Sequence, residues 1–140
     1  MNISKSISRD IQQDTKYIRE KVFIEEQGFQ NEFDELDEKS FHLVIYLDGQ
    51  AAATGRLIPN EESKVYAIGR VAVLQEYRNY KLGNKVLEYL EEKAKEEGAQ
   101  KLELSAQCTV MKFYQKNGYY EKGDIYYDEH CPHIHMEKNL

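Results

Sequence analysis

Two stretches of the chain repeat hydrophobic residues every three or four positions, which is the spacing of one face of a helix. Ile18 and Val22 belong to the first stretch, where charged residues occupy the positions between them, and we expect a helix from about residue 9 to 26. The second stretch predicts a helix over residues 76–98, with an opposite face rich in Lys and Glu. A shorter helix is predicted over residues 107–117.

Between and around these helices, shorter segments rich in apolar and β-branched residues predict strands. The segments are residues 3–8, 42–47, 51–58, 65–74, 101–105, 119–121 and 132–138. Asp48 and Gly49, between the second and third strands, form a typical hairpin turn sequence. Because strands and helices are mixed along the chain, we expect an α+β or α/β layered fold around one sheet. The 140 residues have the size of a single domain.

The charge of the chain excludes one broad class of function. It has 25 acidic and 19 basic residues, a net charge of −6, and therefore lacks the basic surface of a general nucleic-acid binder. No stretch approaches the ~20 consecutive apolar residues of a membrane span, and residues 1–6 lack the apolar core of a signal peptide. We therefore expect a folded cytoplasmic protein that binds neither nucleic acid nor membranes. Cys108 and Cys131 form no CxxC pair and are expected to stay reduced.

The junction between the strand at 65–74 and the following helix carries the clearest signal of chemistry. Arg78, Lys81 and Lys85 form the only cluster of positive charge in this acidic chain. The first turn of a helix has unpaired backbone N–H groups that attract anions, and Gly83 leaves room there for a ligand to approach the backbone. These features predict a pyrophosphate-binding site. The alternative is a solvated basic helix start with a glycine that serves packing.

Several segments of the chain match signatures of one enzyme superfamily. Residues 78–83 read Arg-Asn-Tyr-Lys-Leu-Gly, similar to an Arg/Gln-x-x-Gly-x-Gly/Ala motif but with Lys81 in place of the first glycine. Residues 113–119 are similar to a Phe-Tyr-x-Lys-x-Gly-Phe block. With residues 19–27 and 132–138, these segments resemble the GNAT N-acetyltransferase superfamily, and within it a small bacterial branch that includes glyphosate-type acetyltransferases.

The resemblance implies a single mixed, mostly antiparallel sheet flanked by helices, with acetyl-CoA as cosubstrate and no metal. It also implies direct transfer of the acetyl group, in a ternary complex, to a primary amine of a small molecule, and it is compatible with a homodimer. The positions that it assigns to the cofactor are Val71, Ala72, Val73, Arg78, Asn79, Tyr80, Lys81, Leu82, Gly83, Asn84 and Tyr114. Val71 and Val73 would act through the main chain, where an N–H can polarise the thioester carbonyl.

Two residues in the matching segments are candidates for proton transfer. Tyr114 is the candidate general acid for the departing thiolate, with a purely packing or cofactor-contact role as the alternative. His133 is the candidate general base, because histidine titrates near neutrality. Strand alternation puts its ring on the face opposite to that of the apolar Ile134. Glu26, or a water molecule that it holds, is an alternative base.

Four residues are predicted to contact the acceptor, namely Arg19, Glu26, Arg70 and Gln107. The two arginines suit an acceptor with a carboxylate or phosphate, and the alternative for both is a surface or ion-paired arginine. Gln107 stands where glyphosate-type enzymes place a third arginine, which weakens the expected preference for an anion. The acidic loop at residues 32–38 would favour a cationic amine if it borders the cleft.

Two other functions fit parts of the sequence. The tract His130–His135, beside Asp128 and Glu129, has the side chains of a zinc site, although they are crowded into one extended stretch. The change at Lys81 would also fit a family member that binds acyl-CoA without catalysis. Loss of activity on chelation would favour the metal site, and cofactor binding without turnover would favour the binding module.

Overall fold

The computed structural model describes all 140 residues, which form eight strands and three α-helices. The strands are β1 (Ile3–Ser8), β2 (Phe41–Leu47), β3 (Gln50–Ile58), β4 (Val65–Val73), β5 (Lys101–Gln107), β6 (Tyr120–Glu121), β7 (Tyr126–Asp128) and β8 (Cys131–Asn139). The helices are α1 (Gln13–Arg19), which continues as a π-helix over Glu20–Glu26, α2 (Leu82–Glu96) and α3 (Met111–Lys116). Short 3-10 helices cover Glu35–Lys39, Gln75–Tyr80 and Cys108–Val110. None of the helices is both long and apolar enough to cross a membrane.

All eight strands belong to one sheet, in the order β1-β2-β3-β4-β5-β8-β6, and β7 also pairs with β8. Every pair is antiparallel except β4 and β5, which run parallel because α2 crosses over between them. β8 comes last in the chain but lies inside the sheet, beside β5. The predicted fold class, a single mixed and mostly antiparallel sheet flanked by helices, is confirmed.

β4 and β5 separate part-way along their length. Their pairing covers only residues 65–68 of β4 against residues 101–104 of β5. β5 continues to Gln107 alongside β8, whereas the rest of β4 pairs with β3 alone. The backbone of residues 69–73 therefore has a free edge that faces β5 across an open cleft.

A bulge bends β4 at the start of this unpaired stretch. The register between β3 and β4 shifts between Thr54 and Arg56. On the β4 side, Arg70 has a left-handed backbone with a φ of 53°. An irregularity of this kind turns a strand and increases its local twist, so it directs β4 away from β5.

The sheet is covered on both faces, and the larger core lies under α2. A cluster of 21 buried apolar residues fills this face, among them Leu82, Val86 and Leu90 of α2. α1 packs on the opposite face over a cluster of 7 buried residues. Gly55 of β3 lets α2 lie close to the sheet, because a Cβ there would come within 2.7 Å of Val86 and 3.0 Å of Leu90. This close contact fixes the position of α2 and of its N-terminus.

All three predicted α-helices begin later than the hydrophobic pattern indicates, and the one predicted over 107–117 begins at Met111, after a short 3-10 helix. The helix predicted over 76–98 begins at Leu82, because Lys81 has a left-handed backbone (φ 57°, ψ 32°) that separates it from the preceding 3-10 helix. The helix predicted over 9–26 begins at Gln13, after Gln12 in an extended conformation. β7 has no counterpart among the predicted strands, since its three residues are all exposed and show no apolar alternation.

Candidate active site

A cavity of about 630 Å³ opens where β4 and β5 separate. Its walls come from the end of α1 and the loop after it, the free stretch of β4, the first turn of α2, α3, and the strands β5, β7 and β8. Most of the predicted site residues line it, namely Arg70, Val71, Ala72, Val73, Arg78, Lys81, Gly83, Asn84, Gln107, Tyr114 and His133. The predicted residues outside its lining are Arg19, Glu26, Asn79, Tyr80 and Leu82.

The first turn of α2 forms the positively polarised end of the cavity. No side chain caps the start of this 15-residue helix, and Lys81, Gly83 and Asn84 line the cavity there. Unpaired N–H groups and the helix dipole favour an anion at such a position. Of the predicted positive cluster, Arg78 and Lys85 are paired with carboxylates, whereas Lys81 has no such partner. The ammonium of Lys81 is therefore free to meet a bound anion.

Glu26 holds the side chain of Arg78. The Nη1 and Nη2 atoms of Arg78 each donate to a carboxylate oxygen of Glu26 at 2.6 Å, and Nε donates to the carbonyl of Val73 at 3.0 Å. The hydrogen bond from Arg78 lowers the pKa of the Glu26 carboxyl. Glu26 is therefore ionised and tied to a guanidinium, which argues against its use as the alternative base.

Gly83 brings α3 against the first turn of α2. A Cβ at this position would lie 3.1 Å from the ring of Phe113 on α3. Any side chain there would have to displace the ring or separate the two helices. The structure therefore supports the alternative considered from the sequence, that this glycine serves packing. The close contact also fixes α3 beside the cavity.

Tyr114 of α3 lines the cavity from a buried position. Only 8% of the residue is exposed, and its ring packs edge-on against Phe113 and Tyr119. Burial raises the pKa of the Tyr114 phenol to about 12. The hydroxyl therefore stays protonated at neutral pH and can donate a hydrogen bond to a group in the cavity.

His133 of β8 is held with one ring nitrogen free. Its Nδ1 lies 2.9 Å from the carbonyl oxygen of Cys131, which can only accept a hydrogen bond, so Nδ1 carries a proton. In the neutral ring, the lone pair of Nε2 is then available. Tyr126 stacks on the imidazole with a centroid distance of 6.1 Å, and Phe29 packs edge-on at 6.4 Å. These contacts fix the tautomer that a general base needs.

The histidines of the tract at residues 130–135 diverge. His130 packs against the ring of Phe29, His133 lines the cavity, and His135 hydrogen-bonds to Glu137 at 2.8 Å. Ile134 and Met136 lie in the core, so the predicted alternation along this strand is confirmed. The acids and histidines whose ligand atoms do approach within 4.8 Å are Glu103, His135 and Glu137. The structure therefore does not gather the tract into the zinc site considered from the sequence.

Arg19 lies in the protein interior instead of at the cleft surface. It has no exposed area, and its guanidinium donates to Glu32 at 2.8 Å and to Asp37 at 2.7 and 3.1 Å. Arg56 of β3 joins the same cluster through Asp34 and Asp37. A side chain with no exposed surface cannot touch a ligand in this arrangement, so the geometry argues against the predicted contact between Arg19 and an acceptor.

Arg70 completes this ionic cluster at the cavity wall. Its Nε and Nη2 donate to the carbonyl of Glu32 at 3.1 and 2.9 Å, and Nη2 also donates to Asp34 at 3.2 Å. Burial raises the pKa of the Glu32 carboxyl despite the neighbouring arginines. Three arginines thus meet three carboxylates. The three acids of this loop that lie in the cluster are therefore neutralised by arginines, which weakens the expectation that the loop attracts a cationic acceptor.

Comparisons with known proteins identify the family of this chain. The sequence pattern of the family described as "Acetyltransferase (GNAT) domain" matches residues 9–140. The chain belongs to the GNAT acetyltransferase family. The uncharacterized N-acetyltransferase YjcF of Bacillus subtilis is 32% identical to it over 129 residues, which cover 90% of this chain and 91% of YjcF.

Solved structures share the fold of this GNAT protein. A provisionally named N-acetyltransferase from Lactobacillus plantarum superposes with a TM-score of 0.90 at 28% identity, over 99% of this chain and 98% of the other. A GNAT family acetyltransferase from Elizabethkingia anophelis, solved with acetyl-CoA bound, has a TM-score of 0.78 at 15% identity and covers 99% of both chains. At that identity the likeness concerns the fold alone.

The GNAT cavity also contains residues that the sequence analysis did not assign to it. Gln27 accepts a hydrogen bond from Gln107 at 2.7 Å, and both residues line the cavity. Glu32 and Asp128 are further lining residues. The acidic composition of the loop at 32–38 was the only signal for Glu32, and nothing in the sequence marks Asp128 as a residue of this cleft.

Proposed function

We propose that the protein is an acetyl-CoA-dependent N-acetyltransferase that moves the acetyl group directly to a primary amine of a small molecule in a ternary complex. The observation that carries this proposal is the cleft between β4 and β5. The uncapped N-terminus of α2, the buried phenol of Tyr114 and the imidazole of His133 with its free Nε2 all line this one cleft. Acetyl-CoA in the Elizabethkingia relative of the same fold supports the choice of cosubstrate.

The residues on the α2 side of the cleft fit a pyrophosphate and the amide-containing arm of coenzyme A. Lys81 and the first turn of α2 offer a positive charge and unpaired N–H groups to the phosphates. The free edge of β4 at residues 69–73 offers main-chain hydrogen bonds to the arm. Val71 and Val73 lie on this edge, where an N–H can polarise the thioester carbonyl. Acetyl-CoA supplies the acetyl group as a thioester when it is bound.

His133 acts as the general base in this proposal. An ammonium has no lone pair, so the acceptor must lose a proton before its nitrogen can form the new bond to the acetyl carbon. The Nε2 atom of His133 is the free acceptor for that proton, because the Nδ1 proton is already held by the carbonyl of Cys131. An imidazole is suited to this transfer near neutral pH.

Tyr114 donates a hydrogen bond to the sulfur as the carbon–sulfur bond breaks. Its raised pKa makes the phenol a weak acid but keeps the proton in place for donation throughout the neutral range. Because a thiolate is already a fair leaving group, a hydrogen bond from Tyr114 is sufficient to assist its departure.

The test is to incubate the protein with acetyl-CoA and a panel of amines and to follow thiol release. We expect turnover with at least one amine and a fall in kcat/KM of about a hundredfold to ten-thousandfold for His133→Ala. Tyr114→Phe keeps the ring and removes the hydroxyl, and we expect a fall in kcat of at least about tenfold, as for one hydrogen bond to a charged group.

Matched controls are Tyr127→Phe and His130→Ala, since neither residue lines the cavity. Both variants should keep the activity of the starting protein. If Tyr114→Phe and His133→Ala turn over normally, the catalytic assignment is wrong. Measurable binding of acetyl-CoA without turnover on any amine would instead indicate the non-catalytic binding module.

A further inference from the structure

Most ionised side chains of the cleft are already paired within the protein. Arg70 is bound by Glu32 and Asp34, and Arg78 is bound by Glu26. Two charged side chains of the cleft have neither an ionic nor a hydrogen-bonded partner. They are Lys81, before α2, and Asp128, at the end of β7. They come from different walls of the cleft, one on the α2 side and the other on the β8 side.

Asp128 lies on the same face of the sheet as the imidazole of His133. In the pairing of β7 with β8, Tyr126 is opposite His133 and Asp128 is opposite Cys131. Residues two apart on a strand share a face, and Tyr126 stacks on the imidazole. Diagonal neighbours in such a pair have Cα atoms about 7–8 Å apart. Asp128 is thus a diagonal neighbour of the proposed base, on the same face of the hairpin, and both residues line the cavity.

A second carboxylate adds to the negative charge at this end. Glu129 also lines the cavity, and its oxygens accept hydrogen bonds from the backbone N–H groups of Gln30 and Asn31 at 3.0 and 3.1 Å. Those donors are neutral, so the charge of Glu129 remains. The guanidinium of Arg70 does not offset it, because Arg70 belongs to a cluster in which three arginines match three carboxylates.

From this distribution of charge we propose that the acceptor carries a second positive charge a few bonds from the reacting amine, and that Asp128 binds it. The substrate class is therefore the diamines and polyamines. This inference rests on the proposed acetyl transfer and adds the recognition of the acceptor. Asp128 is a specificity residue in this arrangement, and the pairing of Asp128 with the distant ammonium directs the other amine toward His133.

Three acceptors with the same four-carbon chain test the proposal. They are 1,4-diaminobutane, butylamine and 4-aminobutanoate, which end in an ammonium, a methyl group and a carboxylate. We expect kcat/KM to be at least tenfold higher for the diamine than for butylamine, and lowest for 4-aminobutanoate. Asp128→Asn should lower kcat/KM for the diamine about tenfold and leave the butylamine reaction unchanged. Asp128→Lys should make 4-aminobutanoate a better acceptor than the diamine.

The matched control is Asp124→Asn, an exposed acid on the same segment that does not line the cavity. Equal use of butylamine and the diamine by the unaltered protein would overturn the proposal, as would equal losses on both acceptors in Asp128→Asn. Calorimetry with 1,4-diaminobutane keeps this test separate from the acetyl-transfer proposal. Binding that weakens in Asp128→Asn supports the site even if no acceptor is turned over, and unchanged binding contradicts it.

Discussion

Lys81 occupies the position where the GNAT phosphate-binding motif has a glycine, and its backbone shows the cost of that exchange. Its φ of 57° and ψ of 32° lie in the left-handed region, which costs a residue with a side chain about 1–2 kcal/mol. We expect Lys81→Gly to raise the free energy of unfolding by about 1 kcal/mol, after the greater flexibility of glycine in the unfolded chain is subtracted. Urea denaturation measures this change.

Lys85→Gly is the matched control for this prediction. Lys85 lies four residues later, inside α2, where glycine costs about 1 kcal/mol relative to a good helix former. The same substitution should therefore have opposite signs at the two positions. A loss of stability in both variants would show that residue 81 is not left-handed in solution. Affinity for coenzyme A should fall in Lys81→Gly, because a free ammonium is lost.

At the scale of the element, the bend of β4 depends on one residue in an unfavourable conformation. Arg70 has a φ of 53° within the strand, and its side chain is held by Glu32 and Asp34. Arg70→Gly and Arg70→Ala remove the same guanidinium contacts, but only glycine adopts this φ without a Cβ penalty. We expect Arg70→Ala to be less stable than Arg70→Gly by about 1 kcal/mol in urea denaturation.

The difference in unfolding free energy between these two variants isolates the cost of the left-handed backbone at position 70. The lost side-chain contacts cancel, because both variants leave Glu32 without its partner at the cavity wall. If Arg70→Ala were as stable as Arg70→Gly, the bulge would not be present in solution. The free edge of β4 would then need another explanation.

At the scale of the whole molecule, the buried ionic cluster couples stability to pH. Burial alone would raise the pKa of Asp37, but hydrogen bonds and charge from Arg19 and Arg56 outweigh it and lower the pKa to about 2. The unfolded carboxyl titrates near 3.9, so the folded state releases its proton more readily. This group adds about 2–3 kcal/mol of stability above pH 5, and the contribution is lost as the pH falls toward 2.

Asp37→Asn tests this coupling against its exposed neighbour in Glu38→Gln. Unfolding free energies between pH 7 and pH 2.5 should show a lower value at neutral pH and a shallower acid dependence in Asp37→Asn. Glu38→Gln should follow the unaltered protein throughout. Parallel curves for the unaltered protein and Asp37→Asn would place the acid sensitivity elsewhere in the molecule.

Local patterns predicted the elements of this fold but not the contacts between distant parts of the chain. The alternation along β8 correctly gave the faces of His133 and Ile134, because it depends only on the two-residue period of a strand. Arg19 is different, since its carboxylate partners lie 13 and 18 positions away and are positioned by the loop before β2. The same holds for Gly83. It packs against the ring of Phe113, and only the folded structure brings these two residues together. The residues expected to contact the cofactor therefore mostly line the cavity, whereas Arg19 and Glu26, expected to contact the acceptor, do not.

The place of β8 in the sheet determines when the site can form during synthesis. Of the eight strands, β8 is synthesised last, yet β5, β6 and β7 all pair with it, and it carries the proposed base. A nascent chain that ends before residue 131 has the α2 side of the cleft but leaves the edge of β5 open. An open edge is where strands of neighbouring chains associate. Acetyl-transfer activity would thus appear only after β8 has joined the sheet. The growing chain is most prone to aggregate in the interval before β8 is synthesised.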